Sequence, residues 1–471
     1  MKRAWSVIAA CLVIGCAGPS SMPVWDQPPP PVVDAPIVQP GALYRYELDN
    51  GLALVILEDH RLPMVSIGLA TRRGAASETI ETAGLAAFTT ELMKRGAGER
   101  DALALASAID EIGGSLGVGA GFDSMTARVG GLTRDQERLI EILADVVLRP
   151  RFDPAEAQRT RGEMLAAMER SKEQPNYLER KYATATLYPG LRAGLPIAGT
   201  PQSLSGFDAA AAREFHDRMF IPNNAVFFAS GDIVAEELLA KIGSAFGAWP
   251  AGEIPAGGSK LPSPAPPQRQ IVVVDRPDLV QTHITLIHEG LARIDPERIS
   301  ASLMNSVVGG GGFSSRLMKR LRSDTGLTYG VHSGFSMRRD GGSFSVSTFT
   351  RVAEVRRAVD IILSELERIR SDPPSQQELD KARARAVGGF QLGLETSNAL
   401  LAALVNLDVY GLPEDSIDTY RSRLRATTIE DTERLANQLI HPERVAIVLV
   451  GPAEALVPQL EGLGPIEVII P

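Results

Sequence analysis

The side chains best suited to metal or acid–base chemistry in this sequence are its six histidines, and their spacing does not form a metal site. His283 and His288 are the closest pair, five residues apart in or beside a predicted strand, with 288–290 predicted to be a loop. Successive strand side chains point to opposite faces, so this odd spacing keeps the two imidazoles from binding one ion. The remaining histidines are isolated in the sequence: His60, His216, His332 and His441.

Residues 309–330 combine a glycine run with side chains that can bind polar groups. Arg322 and Tyr329 lie seven residues apart, downstream of a predicted glycine turn at Gly309–Gly312. Glycine lets the backbone approach a ligand closely. A guanidinium and a phenol can donate hydrogen bonds to a peptide carbonyl, or to the oxyanion that forms from it. The alternative interpretation is a turn followed by a helix with a surface arginine and a core tyrosine.

Residues 84–95 read Gly-Leu-Ala-Ala-Phe-Thr-Thr-Glu-Leu-Met-Lys-Arg and resemble the Gly-Leu-Ala-His-Phe-x-Glu-His segment of the pitrilysin/insulinase (M16) zinc peptidases. In that family a His-x-x-Glu-His helix binds zinc and carries the general base, with the three side chains on one helical face. The resemblance puts Ala87, Thr90 and Glu91 at these positions, and Ala167 where the family has a third ligand, a glutamate. Alanine cannot coordinate, threonine is a poor base, and one carboxylate does not hold zinc. We therefore expect no metal and no catalytic residue here; the alternative is a plain amphipathic helix with a chance likeness.

Residues 309–330 also resemble an M16 segment, Gly-Gly-x-x-Ser-Ser-Arg-Leu…Arg-x-x-x-Gly-Leu-x-Tyr, from the second halves of these chains. The resemblance gives Arg322 and Tyr329 the role of a substrate-binding pair that reaches towards the zinc of a facing half. Ser323 departs from the acidic residue that many relatives carry after the arginine. A third matching segment, Pro-Asn-Asn-Ala at 222–225, is explained by turn geometry alone.

Composition limits the classes of protein to which the chain can belong. The 471 residues include 57 acidic and 48 basic side chains, and 44% are hydrophobic. These values are ordinary for a soluble globular protein, and the length suits two large domains or about three ordinary ones. The acidic balance and the lack of a basic stripe argue against nucleic acid as a partner.

The N-terminus has the pattern of a bacterial lipoprotein signal. Two basic residues precede a mostly apolar stretch at 4–15, which is too short to span a bilayer. Val13-Ile14-Gly15-Cys16 resembles a lipobox, which predicts cleavage before Cys16 and lipidation of that cysteine. Ala17 follows, where an aspartate would favour the inner membrane, so we expect a lipid anchor in the outer membrane of the cell envelope, on a periplasmic protein. An ordinary signal peptide with an incidental cysteine is the alternative.

The order of predicted elements divides the chain into five parts. We predict a signal peptide at 1–16, a Pro-rich tether at 17–42, and two domains at 43–250 and 269–471 that a linker at 251–268 joins. The two domains repeat one order of strands and helices, which suggests an internal duplication. The expected fold is α+β, with two homologous M16-type halves, each a mixed or antiparallel sheet plus helices, forming a clamshell.

The resemblance implies half of a shared active site. Some bacterial M16 peptidases are divided between two chains, one with the zinc helix and the other with only the arginine and tyrosine. We expect this chain to be a non-catalytic subunit without a cofactor of its own. It would form a heterodimer with a zinc-bearing M16 subunit and bind peptide substrates for endoproteolysis. One alternative is a peptide-binding or scaffold protein of the cell envelope with no peptidase partner; another is weak activity at an unrecognised site.

Overall fold

The computed structural model describes residues 36–38, 41–255 and 268–471. The predicted signal peptide with Cys16, nearly all of the predicted tether and most of the predicted linker lie outside these residues. Val38–Pro471 form one compact unit, to which all the elements below belong. Within the ranges described, none of the helices is both long enough and apolar enough to cross a bilayer.

The first half is built on a six-stranded mixed sheet. Its strands are β1 (Leu43–Glu47), β2 (Ala53–Glu58), β3 (Met64–Thr71), β6 (Ser115–Ala120), β7 (Met125–Leu132) and β8 (Ala225–Gly231), and a separate ribbon pairs β4 (Gly96–Ala97) with β5 (Arg100–Asp101). The spatial order is β1-β2-β8-β3-β7-β6, with β2 and β8 parallel and the other neighbours antiparallel. The helices are α1 (Leu85–Met93), α2 (Ala102–Asp110), α3 (Gln136–Leu148), α4 (Pro154–Ser171), α5 (Pro175–Leu187), α6 (Pro201–Ser205), α7 (Ala209–Met219) and α8 (Ala235–Phe246).

The second half repeats this plan. Its strands are β9 (Gln270–Asp275), β10 (Gln281–Gly290), β11 (Val331–Arg338), β12 (Gly341–Arg351), β13 (Ala446–Gly451) and β14 (Ile466–Ile469), in the order β11-β12-β10-β13-β9-β14. The helices are α9 (Arg298–Asn305), α10 (Arg316–Met318), α11 (Val355–Ser371), α12 (Gln376–Leu392), α13 (Ser397–Tyr410), α14 (Tyr420–Ala426), α15 (Ile429–Leu439) and α16 (Ala453–Leu460). Both sheets are therefore mixed, and the predicted α+β fold with two similar halves is confirmed.

Buried and exposed side chains alternate along the strands, and this alternation shows which face of each sheet is covered by helices of the same half. In β7, Met125, Ala127 and Val129 are buried, whereas Thr126 and Arg128 between them face the other side. The buried face packs against the apolar stripe of α3 and the rest of the first core. The opposite face of each sheet is not covered by these helices.

The two halves exchange helices across these opposite faces. Helix α5 of the first half packs against β9, β10 and β13 of the second, where Leu178 and Leu187 join Val448 and Val450 in one apolar cluster. Helix α13 of the second half packs against β2, β3 and β8 of the first. Each half thus places one helix on the sheet of the other half. The predicted domains 43–250 and 269–471 do not pack as separate units, and their boundaries stay predictions.

Candidate functional site

Helix α1 is held at its N-terminus by a buried carboxylate. Gly84 precedes the helix with a φ of +100°, and a Cβ added there would lie 2.5 Å from the carbonyl oxygen of Ala198, so only glycine fits. The backbone N–H groups of Gly84 and Ala86 donate to the Glu78 carboxylate at 3.0 and 2.5 Å. Arg192 Nε donates to the same carboxylate at 2.7 Å, and both side chains are almost fully buried. These contacts fix the helix without a metal ion.

The three family positions on α1 do not offer a set of zinc ligands. Ala87 presents a methyl group. Thr90 is 1% exposed, and its hydroxyl donates to the carbonyl oxygens of Ala86 and Ala87 at 2.9 and 3.0 Å, inside the helix. Glu91 is half-buried and forms an ion pair with Lys94 at 2.8 Å. The one carboxylate on this face is thus already paired, and the residues do not fit a zinc ion.

The position of the third ligand also lacks a side chain that could bind zinc. Ala167 lies on α4, which packs against α1, and it is exposed. One turn earlier on α4, Glu163 forms an ion pair with Arg95 at 2.7 Å, and Glu169 pairs with Lys172 at 3.0 Å. Across the described residues no group of three or more His, Cys, Asp or Glu side chains could hold a metal ion.

The structure places His283 and His288 on opposite faces of β10, as their spacing predicted. His283 lies 3.5 Å from the Glu179 carboxylate of α5, whereas His288 is fully buried and stacks on Phe344 with ring centroids 5.0 Å apart. Burial lowers the pKa of His288 to about 3. The loop predicted at 288–290 is wrong: these residues end strand β10, because they pair in register with β12.

His441 is isolated in the sequence, but the structure places it beside His288. Its ring meets the edge of His288 at 5.4 Å, and its backbone N–H donates to His288 Nε2 at 3.3 Å. Glu289 lies 3.9 Å from His441 Nε2, and its carboxylate is held by Arg444 at 2.5 Å. The sequence could not show this cluster, since 153 residues separate the two histidines.

The glycine run does not form the turn predicted at Gly309–Gly312. Gly309 and Gly310 end a π-helical segment, Ser306–Gly310, that continues α9. A Cβ on Gly309 would lie 2.5 Å from Ser333 Oγ, so glycine is required because β11 packs directly against this segment. A second π-helical segment follows α10 at Lys319–Asp324. Such segments are frequent at functional sites.

Arg322 and Tyr329 are brought together, with an aromatic ring beside them. Arg322 Nη1 donates to the Tyr329 backbone oxygen at 2.8 Å, and the guanidinium carbon lies 4.7 Å from the centre of the Phe313 ring. Tyr329 and Phe313 are 78% and 71% exposed. The tyrosine is therefore not a core residue. Arg322 joins Phe313 and Tyr329 through its contacts with the ring of the first and the backbone of the second, and we call these three residues the 313/322/329 patch.

Buried contacts position this patch. Gly330 N–H donates to Thr328 Oγ1 at 3.1 Å, and Thr348 Oγ1 donates to the Gly330 carbonyl at 2.9 Å, so the loop that carries the tyrosine is tied to β12. Arg316, at the start of α10, is 7% exposed and bonds Glu378 at 2.8 Å. Sequence reasoning missed Phe313; the signal was its place between the glycine run and the two serines that follow.

Comparison with family models gives two adjoining matches. The model described as insulinase (peptidase family M16) matches residues 54–201. The model described as peptidase M16 inactive domain matches residues 206–386. The first match contains the degenerate helix α1, and the second contains the 313/322/329 patch.

Relatives of similar length are named as zinc proteases. An uncharacterized zinc protease of Streptomyces coelicolor is 25% identical over 419 residues, which cover 88% of this chain and 90% of that one. The uncharacterized zinc protease YmxG of Bacillus subtilis is 24% identical over 409 residues, or 87% of this chain and 98% of that one. The zinc in these names belongs to those proteins, since positions 87, 90, 91 and 167 here do not fit it.

Two solved structures share the arrangement of the two halves. A peptidase M16 inactive domain from Pseudomonas fluorescens superposes with a TM-score of 0.80 at 27% identity, covering 87% of this chain and 98% of that one. A protease from Helicobacter pylori gives a TM-score of 0.80 at 17% identity, covering 87% and 99%. The second likeness is one of fold alone.

Proposed function

The chain belongs to the M16 family of peptidases, and from that premise we propose that it is a non-catalytic subunit which completes the active site of a zinc-bearing M16 partner. The partner would supply the metal and the general base. This chain would supply contacts to the peptide substrate through Arg322 and Tyr329. The reaction assisted is endoproteolysis of peptides, and the assembly is a heterodimer.

The observation that supports this proposal most strongly is the exposure of the 313/322/329 patch. A phenol and an aromatic ring more than two-thirds exposed contribute little to the stability of the free chain, because most of their surface stays in contact with water. Arg322 is oriented by its bond to the Tyr329 backbone and by the Phe313 ring. Oriented donors of this kind stabilise charge that develops on a carbonyl oxygen.

The α1 region supports the non-catalytic part of the proposal. A water-activating base would have to occupy position 90, and the Thr90 hydroxyl there is committed to two helix carbonyls. Metal ligands would have to occupy positions 87, 91 and 167, which hold two alanines and a paired glutamate. Hydrolysis by this chain alone would need a different set of groups.

The proposal includes a lipid anchor at Cys16 that holds the subunit at the outer membrane. Its support is the lipobox-like sequence Val13-Ile14-Gly15-Cys16 and the Pro-rich stretch after it. Metabolic labelling with a radioactive fatty acid would mark the wild-type chain and not Cys16→Ala. Equal labelling of both chains would overturn this part of the proposal.

Co-expression with an M16 chain that carries an intact His-x-x-Glu-His helix tests the shared site. We expect peptide cleavage to need both chains, and Arg322→Ala to lower kcat/KM by about 10²- to 10³-fold, as for loss of an oxyanion donor. Tyr329→Phe should lower it by about 10-fold, the effect of one hydrogen bond. Lys319→Ala is the matched control, because Lys319 is a 69% exposed cation of the same segment that pairs with Asp324 and not with Tyr329 or Phe313 in the described part of the chain.

Two results would refute the proposal. Full activity of the partner alone would leave this chain as a binding or scaffold protein of the envelope. Stoichiometric zinc in the isolated chain, measured by elemental analysis together with peptide cleavage, would show that the chain is itself an enzyme.

A further inference from the structure

A cavity of about 750 Å³ lies on the face of the first sheet that its own helices leave uncovered. Strands β3, β6, β7 and β8 form its floor, and the start of α13, from the second half, forms one wall. Its polar lining includes Ser66, Ser115, Arg128, Ser230, Ser397 and Asn398. None of these residues belongs to α1 or to the 313/322/329 patch, so the cavity is separate from the site described above.

Arg128 is the cation at the centre of this floor. Its Nε donates to Ser66 Oγ at 2.6 Å, which fixes the plane of the guanidinium. Its neighbours across the sheet in register are Gly68 on β3, above which the Phe228 ring lies, and Gly117 on β6. A Cβ at Gly117 would meet nothing within 4 Å. Gly117 therefore leaves open space beside the guanidinium on the side of the outer strand, β6.

The guanidinium has no carboxylate partner within the described part of the chain. Burial alone lowers the pKa of Arg128, and no charged neighbour contributes to that shift. Of the two acidic residues in the lining, Asp59 is held by Arg61 and Ser397, and Glu395 makes no hydrogen bond to Arg128. Arg128 is an exposed residue, and its guanidinium, without a counter-ion, is available for a charge-assisted hydrogen bond to an anionic ligand.

We propose that this cavity binds a carboxylate group of a peptide, with Arg128 as the charged donor. The planar fork of the guanidinium suits a carboxylate, to which its two free nitrogens can donate together. Ser66 already occupies the Nε donor, which leaves both Nη groups for the ligand. The rim carries Leu62 and Met64, which are 63% and 53% exposed and can pack against the apolar parts of the same peptide.

The inference rests on the proposed function, since a subunit that presents peptides to a partner needs contacts outside the 313/322/329 patch. Two groups on a peptide have the required chemistry: an aspartate or glutamate side chain, and the C-terminal carboxylate. A subsite for either makes the assembly selective for acidic peptides or for peptides near their C-terminus.

Fluorescence anisotropy on the full chain without its partner tests the cavity. The probes are four labelled peptides of one sequence, with either Glu or Gln at a central position and either a free or an amidated C-terminus. We expect the peptide that keeps the relevant carboxylate to lose about 10- to 100-fold in affinity on Arg128→Gln, the effect of one charge-assisted hydrogen bond. Arg128→Lys, which keeps the charge without the fork, should recover part of that loss.

Arg134→Gln is the matched control, because Arg134 is a 76% exposed arginine just after the same strand, outside the cavity. Its affinity for every peptide should equal that of the wild-type chain. If all four peptides bind the wild-type and Arg128→Gln chains equally, the proposal is overturned. If the Arg128 effect holds while Arg322→Ala leaves cleavage by the two-chain assembly unchanged, the carboxylate site stands and the shared active site falls.

Discussion

Helix α1 and the 313/322/329 patch are the two regions whose sequences resemble functional segments of M16 peptidases, and their side chains lie in opposite surroundings. The α1 region has lost its polar side chains at positions 87 and 167, but its backbone is fixed by a buried carboxylate, a buried arginine and an obligatory glycine. The patch keeps its polar side chains, and they extend into solvent with few contacts.

The comparison shows that the contacts that hold the backbone of α1 in place are separate from the side chains that could bind a metal or a substrate. The apolar side chains of α1, such as Leu85, Phe88 and Leu92, belong to the first core, so this helix stabilises the fold whether or not a metal binds there. Arg322 and Tyr329 close no core. Their presence is therefore better evidence of function than the shape of α1.

The largest effect should come from the buried pair that holds α1. Arg192→Met leaves the Glu78 carboxylate in the core without its cation, which should lower the free energy of unfolding by about 3–5 kcal/mol. Urea unfolding followed by circular dichroism measures this. Glu78→Gln in the Arg192→Met background should recover part of the loss, since the amide is neutral and its oxygen can still accept from one of the two backbone N–H groups, Gly84 or Ala86.

Arg95→Met is the control for that prediction. Arg95, just after α1, pairs with Glu163 of α4, but their side chains are 31% and 50% exposed. Such a pair contributes about 1 kcal/mol or less. Equal losses for Arg192→Met and Arg95→Met would show that the Glu78 pair does not fix α1, and the comparison between the two regions would fail.

A smaller change in the free energy of unfolding should distinguish a glycine next to α1 from a glycine next to the 313/322/329 patch. Gly84→Ala combines a positive φ with a Cβ 2.5 Å from a backbone oxygen, so we expect a loss of about 2–5 kcal/mol. Gly326→Ala, ahead of Tyr329, has a φ of +63° with no atom within 4 Å, so only the backbone strain of about 1–2 kcal/mol remains. If urea midpoints give the reverse order, the α1 region is the looser of the two.

Features of the fold that depend on a local sequence pattern could be predicted from the sequence. The strands of both halves, the α1 helix and the pairing of Arg322 with Tyr329 follow from alternation, helical spacing and one family-like segment. The opposite faces of His283 and His288 follow from strand geometry alone. Two local predictions were wrong. Residues 288–290 belong to β10, because the last residues of a strand are decided by its neighbour, here β12. Gly309 and Gly310 end a π-helical segment that packs against β11, where a turn was predicted.

The rest depends on contacts between distant residues. Helix α13 covers β8 through pairs such as Ser230 and Asn398, which are 168 residues apart, and Glu78 meets Arg192 across 114 residues. The π-helical segment Ser306–Gly310 packs against β11, and no periodicity in the sequence marks it or the second one, Lys319–Asp324. The Arg128 cavity needs the exchanged helix as a wall, so sequence alone could not identify it.

The smallest change in the free energy of unfolding is expected for Arg322→Ala, and it tests whether this arginine acts on the substrate or on folding. Arg322→Ala removes one hydrogen bond to a backbone oxygen at an exposed site and a contact with an exposed ring. We expect its free energy of unfolding to lie within about 0.5 kcal/mol of the wild-type value, as for surface substitutions generally. The same urea titration measures it. A loss as large as that of Arg192→Met would mean that the arginine holds its segment together, and any activity defect would then report unfolding. An unchanged midpoint, with cleavage by the two-chain assembly abolished, would place the role of Arg322 on the substrate.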